Sequence, residues 1–295
     1  MKLRIEEKIF HITNNVVLFI VSLTCLMPLL YIMATSLSSG SAIDAGKVYF
    51  WPVDFNVASY ELLLKSTNII RYFKNSVVVT TIGTLLSIIF TILCAYPLSK
   101  KNLYARKTIT FFVVFTMLFG GGMIPAFLLV KSLGLIDSYW ALWLTALISP
   151  YNMMVMKSFF ENISDELDDA ARIDGCNEVR LLIQIYLPLS KAVIATLCLF
   201  YGVSYWNSFL KVLLYINDSN EYTLPVMIQQ MVFQLQQLQN TGNNVDVGAI
   251  NNISMVVSES VKSAGVIVLI VPMLIVYPFL QKYFVKGVML GSVKG

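Results

Sequence analysis

Six stretches of this chain contain no Asp, Glu, Lys, Arg or His, and each is close to the ~20 apolar residues that a helix needs to cross a bilayer. Charge is scarce between them as well. Charged residues make up 13% of the sequence, against about 25% in an ordinary globular domain, and mean hydropathy is +0.72. A water-facing surface cannot be built from so few charges, so lipid must cover much of the chain. That excludes a soluble enzyme, a secreted disulfide scaffold and a disordered chain. The predicted fold is an all-α membrane protein, one transmembrane domain over residues 1–295, with spans at about 13–37, 75–99, 108–130, 138–156, 192–212 and 263–281. The apolar core of the first span is longer than the h-region of a signal peptide and no A-x-A site follows it, so it reads as a retained span.

The distribution of basic residues sets the topology. With the N-terminus inside, the inner segments 1–11, 100–107, 157–191 and 282–295 hold 14 of the 21 Lys and Arg. Lys100, Lys101, Arg106 and Lys107 form the densest cluster. Both termini are therefore predicted to be cytoplasmic. No basic patch interleaved with aromatics points to nucleic acid, and the four cysteines form no CxxC pair, so no metal site is indicated. No ionisable residue lies deep in a span, where a proton- or sodium-coupled carrier keeps its coupling groups. The lone histidine, His11, sits at a membrane edge and cannot serve a nucleophile. There is no GxxxxGK[ST] loop, so energy for uphill transport must come from another polypeptide.

The segment 157–191 stands apart, with seven acidic residues against four basic ones. Ser164 is placed to cap a helix whose first turn is acidic. Leu167, Ala170, Ala171 and Asp174 fall at helical spacing, and the two alanines offer a small, flat face. Gly175 is placed to end that helix. A second helix is predicted from about Asn177 toward Leu187, broken by Pro188. The spacing Asp169-Ala170-Ala171, Gly175, Ile185, Leu187-Pro188 resembles the EAA motif of the membrane subunits of binding-protein-dependent ABC importers, with Asp169 where that family has Glu.

Other segments are similar to the carbohydrate branch of the family. They include Asn75-Ser76, Ala95-Tyr96-Pro97-Leu98-Ser99, Gly120-Gly-Gly-Met-Ile-Pro125, Leu133-Gly-Leu-Ile-Asp-Ser-Tyr-Trp-Ala141, Tyr205-Trp206-Asn207 and the tail from Phe284 to Gly295. The resemblance implies a type I importer permease fold, and the shorter of two membrane subunits. It also implies two ATP-binding partner subunits carrying ATP and Mg, an extracellular solute-binding protein and an oligosaccharide substrate in a bacterial cell membrane. No cofactor is implied in this chain. By the same resemblance Asp169, Ala170, Ala171, Asp174, Gly175, Leu187 and Pro188 belong to the ATPase-coupling loop. Tyr205, Trp206 and Asn207 are candidates for the substrate path, being of the types that stack on and hydrogen-bond to sugars. The tail, with Lys286, Lys294, Gly287, Gly291 and Gly295, would make a flexible basic strip toward the ATPase. The external segment 213–262, with its run of glutamines from Gln229 to Gln239, reads as a partly buried amphipathic helix that would face the binding protein, followed by a turn at 240–244. Trp51 and Tyr60 read as interface anchors. A non-sugar solute and, remotely, an ion-coupled carrier remain as alternatives.

Overall fold

The computed structural model describes residues 5–66, 68–240 and 258–291, and among these every regular element is a helix. In hydrocarbon a backbone must satisfy its own polar groups, which leaves the helix as the economical solution for apolar runs. The helices are α1 (Ile5–Ser36), α2 (Gly40–Asp44), α3 (Ala58–Ser66), α4 (Ile69–Ser99), α5 (Arg106–Leu118), α6 (Met123–Ser132), α7 (Tyr139–Thr145), α8 (Pro150–Glu161), α9 (Asp165–Ile173), α10 (Glu178–Leu181), α11 (Leu187–Leu189), α12 (Lys191–Trp206), α13 (Leu210–Tyr215), α14 (Leu224–Asn240) and α15 (Ser258–Gly291).

Three of them contain an unbroken segment long and apolar enough to span a membrane: Phe10–Ser36, Ile69–Ser99 and Glu259–Pro278. At 108–130, 138–156 and 192–212 the predicted spans are not single helices. The first is two helices, α5 and α6, bent by 114°. The break falls on Gly120–Gly122, and Gly122 takes φ +83°, which side chains with a Cβ rarely adopt. The 138–156 segment is likewise divided into α7 and α8. Pro150 forces its neighbour Ser149 into extended backbone (φ −82°, ψ 120°), from which α8 starts afresh with Ser149 as its cap. In the 192–212 segment α12 ends at Trp206, and α13 begins four residues later at Leu210.

The chain divides into two compact units, Met1–Ile69 with Met227–Val271 and Ile70–Val226 with Pro272–Gly295. In the first, the end of α1 packs with α2 through Ala34, Ala42 and Val48. Ser59 and Ser260 share a buried hydroxyl contact of 2.5 Å, and the Tyr60 hydroxyl donates to Ser36 Oγ at 2.9 Å. Tyr60 is therefore tied within its own unit, whereas Trp51 stays exposed. Along α14, Met231 and Leu235 are buried while Gln229 and Gln234 face outward, an amphipathic helix as its sequence predicts; Phe233 departs from the pattern and is exposed. Residues 241–244 of the predicted turn lie outside the described residues. At the other end α15 continues to Gly291, so 286–291 is helix rather than a free strip, and residues 292–295 lie outside the described residues.

The second unit holds the main core, in which Val79, Ala141, Met156, Phe160, Leu197 and Val212 are almost fully buried. Polar side chains fasten its outer segments. The Asn75 amide donates to the Asn220 and Tyr222 carbonyls at 2.9 and 3.0 Å. Ser76 Oγ accepts the Leu224 N–H at 2.8 Å and so caps α14. The Asn75-Ser76 pair thus has a clear local purpose: it satisfies backbone groups that burial would otherwise leave unpaired.

Candidate functional site

Each end of α9 is built by its own sequence. Ser164 Oγ accepts the Glu166 N–H at 3.2 Å, and Asp165, Glu166 and Asp168 place negative charge in the first turn, where the helix dipole favours it. At the other end the Cys176 N–H donates to the Ala171 carbonyl at 2.9 Å and the Gly175 N–H to the Arg172 carbonyl at 3.0 Å. This pair of bonds is a Schellman motif, and it puts Gly175 at φ +79°. Asn177 then caps α10 by accepting the Arg180 N–H at 2.8 Å.

The second helix of the loop departs from expectation at Pro188. It does not stop there. Leu182–Tyr186 forms one wide turn of π type and α11 carries the chain past the proline to Ser190. A proline inside a helix collides with the carbonyl four residues back, and a widened turn relieves that collision. The sharp bend of 81° comes between Leu189 and Lys191.

The predicted coupling residues do not share one face. Asp169, Ala170, Asp174 and Gly175 are exposed, Leu187 is half-buried and Pro188 is exposed. Ala171 is 6% exposed and joins the main core. The two alanines therefore do not form one outward face, because at 100° per residue neighbouring helix positions point apart. Ala171 meets its own subunit, and Ala170 remains available.

What holds α9 against the rest of the unit is a polar clamp that sequence reasoning missed. Lys100, just past the end of α4, pairs with Asp168, and its ammonium also donates to the Tyr186 hydroxyl at 2.7 Å. The Tyr186 hydroxyl in turn donates to Asp168 Oδ1 at 2.8 Å. Lys100 Nζ lies 4.1 Å from the Tyr186 ring centre and 4.8 Å from that of Tyr96, close enough for cation–π attraction. The Tyr96 hydroxyl donates to Glu178 at 2.7 Å, and Glu178 also pairs with Arg172 on α9. Below this network Tyr96, Phe160 and Tyr186 meet edge to face, with ring centres 5.1 to 6.2 Å apart. Lys101 pairs with Asp165 at 2.6 Å, and Arg106 pairs with Glu161, which Lys157 also holds at 2.7 Å.

The electrostatics follow from these contacts. The Tyr96 hydrogen bond, with Arg172 beside it, holds the Glu178 carboxyl below its ordinary range. Burial and the bond to Asp168 push the Tyr186 phenol upward, so it stays a neutral donor. A carboxyl with a depressed pKa stabilises the fold above its unfolded value and loses that contribution on acidification through the folded one; Glu178 therefore holds its charge at neutral pH. The charge balance in the sequence held the clue to it, since the acidic segment 157–191 needed basic partners and the dense cluster at 100–107 supplies them.

The three substrate-path candidates also separate. Tyr205 is 4% exposed, and its hydroxyl contacts Ser87 Oγ at 2.9 Å. A Cβ added to Gly83 would lie 2.8 Å from its ring, so that glycine makes room for it. Trp206 is buried edge-on against Phe73 at 6.0 Å. Asn207 is exposed at the end of α12. Of the three, Tyr205 alone lines a cavity of about 510 Å³, together with Ser149, Tyr151, Asn152, Ser204 and Lys211.

A helical chain with three membrane-length apolar segments and a clamped acidic helix has the build of a membrane-embedded subunit. The comparisons give the class a name. The chain belongs to the family of binding-protein-dependent transport system inner membrane components, whose pattern it matches over residues 8–290. The polygalacturonan/rhamnogalacturonan transport system permease protein YtcP of Bacillus subtilis (strain 168) is 40% identical over 290 residues, covering 98% of this chain and 100% of YtcP. Protein LplC of the same organism is 39% identical over 288 residues, covering 98% of this chain and 96% of LplC. One chain in the crystal structure of a bacterial ABC transporter involved in the import of the acidic polysaccharide alginate superposes with a TM-score of 0.81 at 32% identity, over 96% of this chain and 99% of that one. The fold is that of a type I importer permease.

Proposed function

We propose that this chain is the shorter of two membrane subunits in an ATP-driven importer of oligosaccharides, and that α9 with Gly175 is its coupling helix. Two ATP-binding partner subunits would supply ATP and Mg, an extracellular binding protein would deliver the sugar, and both termini would lie in the cytoplasm. The observation that carries this reading is the clamp around Asp168. A ligand or partner shifts a conformational equilibrium only through contacts that differ between its states. A helix held at both ends and braced at its middle can pass an ATPase movement into α4 and the core; a loose loop would absorb it. The exposed Asp169, Ala170, Asp174 and Gly175 are among the residues left for the ATPase to touch. The relatives named for polygalacturonan/rhamnogalacturonan and alginate transport support the sugar assignment.

Purification of the tagged chain from its native membrane in mild detergent tests the assembly. Recovery of a second permease and a P-loop ATPase is the expected result. A chain recovered alone under several detergents would overturn it. The orientation has its own test at Asn102, an exposed residue beside the basic cluster. A cysteine placed there by Asn102→Cys should resist an impermeant thiol reagent added outside intact cells, and react once the cells are opened. Labelling from outside would invert the topology.

A further inference from the structure

Side chains from two other helices hold the break between α7 and α8. The Ser149 N–H donates to the Tyr201 hydroxyl of α12 at 2.9 Å, and that hydroxyl also shares a 2.7 Å hydrogen bond with Thr91 of α4. Beside it, Ser87 of α4 donates to the Ala146 carbonyl at 3.4 Å and contacts the Tyr205 hydroxyl at 2.9 Å. Backbone groups freed inside an apolar segment must be satisfied by the protein itself. Tyr201 is 3% exposed and Thr91 is fully buried, so this bond to the break is kept out of bulk water. Ser149 and Tyr201 both line the cavity of about 510 Å³. The start of α8 is therefore pinned at the cavity wall.

From that pin α8 runs without an internal hinge to the clamp around α9. Its 12 residues contain no glycine, and its one proline is the first residue; the length is about 18 Å at 1.5 Å per residue. Met153, Met156 and Phe160 are almost fully buried along one face, so packing as well as hydrogen bonding keeps the helix straight. At its far end Phe160 meets Tyr96 and Tyr186 edge to face, at 6.2 and 5.4 Å. Glu161 is held by Arg106 and Lys157. Only Asn162–Ser164 separate α8 from α9, and the Asn162 and Ile163 N–H groups bond back to the Phe159 and Phe160 carbonyls at 3.1 and 3.2 Å. Packed side chains and rigid elements of this kind can carry energetic coupling between distant sites.

We propose that α8 is the rod that carries movement of α9 to the cavity, and that Tyr201 is the positioning residue that fixes the cavity end of the rod. The proposal rests on the coupling reading of α9 above and adds the route and the pivot. Without the Tyr201 hydroxyl the Ser149 N–H loses its acceptor, the break loosens, and α8 can move without moving the cavity wall.

The test uses the importer purified with its partner subunits in nanodiscs, and reads the cavity directly. Ser204 is exposed and lines the cavity, so Ser204→Cys reports access to a maleimide, scored at that peptide by mass spectrometry with and without ATP and vanadate. Trapping should change the labelling rate in Ser204→Cys alone; an unchanged rate would overturn the proposal. Adding Tyr201→Phe should shrink that change about fivefold, the factor that corresponds to one ordinary hydrogen bond. Thr91→Val, which removes the second partner of the hydroxyl, should act in the same direction, and Thr91→Ser should restore the response. That pair decides the matter if Tyr201→Phe does not fold. A lowered melting midpoint with the ATP-dependent change intact would reduce Tyr201 to a packing role. Asp168→Ala added to Tyr201→Phe should bring little further loss, because both interrupt the same rod; losses that multiply would put α9 and the cavity on separate routes and overturn it. The importer reading fails separately, by the absence of an ATPase from the purified complex.

Discussion

Gly175→Val is expected to abolish sugar-stimulated ATP hydrolysis in the assembled importer, while Gly175→Asn keeps most of it. Gly175 sits at φ +79° and closes the Schellman turn after α9. Within this chain a Cβ at Gly175 meets nothing within 4 Å, so the internal cost of a side chain is conformational rather than steric. For an ordinary residue the left-handed region costs roughly 1–2 kcal/mol, and a β-branched one fares worse because its χ1 freedom is already restricted. The cheapest response is to unwind the last turn of α9, which moves Asp174 and the exposed end of the helix. Asparagine tolerates this backbone region and should leave the turn intact. Stimulated hydrolysis by the reconstituted variants, scored beside ATPase co-purification, separates two causes. Loss in Val alone indicates backbone strain. Loss in both Val and Asn indicates that the ATPase approaches the glycine too closely for any side chain. Normal stimulation in Val would remove Gly175 from the coupling element.

The second large effect is expected at the clamp. Asp168→Ala should lower the yield of transported sugar per ATP hydrolysed by about tenfold, with a stability loss of about 2 kcal/mol, midway between an exposed ion pair and a fully buried one. The side chains of Lys100 and Asp168 are 20% and 14% exposed, so solvent screens the pair only in part. Removal of Asp168 leaves Lys100 over two tyrosine rings without its anion and deprives the Tyr186 hydroxyl of its acceptor. The same argument gives Lys100→Met a similar cost, and the double variant should lose less than the two single losses combined, because the partners share one interaction. Denaturation midpoints of the four proteins in detergent supply the cycle, and uptake into vesicles against ATP consumed supplies the coupling ratio. An unchanged ratio in Asp168→Ala, with reduced stability, would make the clamp a structural brace without a part in coupling.

Both predictions concern places where neighbouring and distant sequence contribute differently. The ends of α9 were legible in advance. Ser164, Asn177 and Gly175 act on backbone groups within a few residues of themselves, and such bonds depend on local geometry alone. Apolar length marked α1, α4 and the apolar part of α15 as spans, because hydrocarbon thickness is a property of the solvent and not of the fold. Composition excluded a water-facing surface for the same reason.

Distant pairings decided the rest. The breaks at Gly120–Gly122 and before Pro150 stand in the sequence as ordinary punctuation, yet an unbroken absence of charge concealed them. Glycine and proline are tolerated within spans when neighbours satisfy the freed backbone, so apolar length alone cannot tell a bent pair from a straight helix. The inward turn of Ala171 depends on which side of α9 faces the core. Tyr205 was legible as an aromatic near the end of an apolar run, but only packing shows its hydroxyl committed to Ser87 and its ring seated over Gly83. The Lys100–Asp168 pair joins residues 68 apart in the chain. The sequence alone determined a multi-span helical membrane protein with a capped, acidic loop helix, since local capping and transfer to lipid are short-range. The tertiary structure decided which charges are paired, since that depends on where segments distant in the chain come to rest.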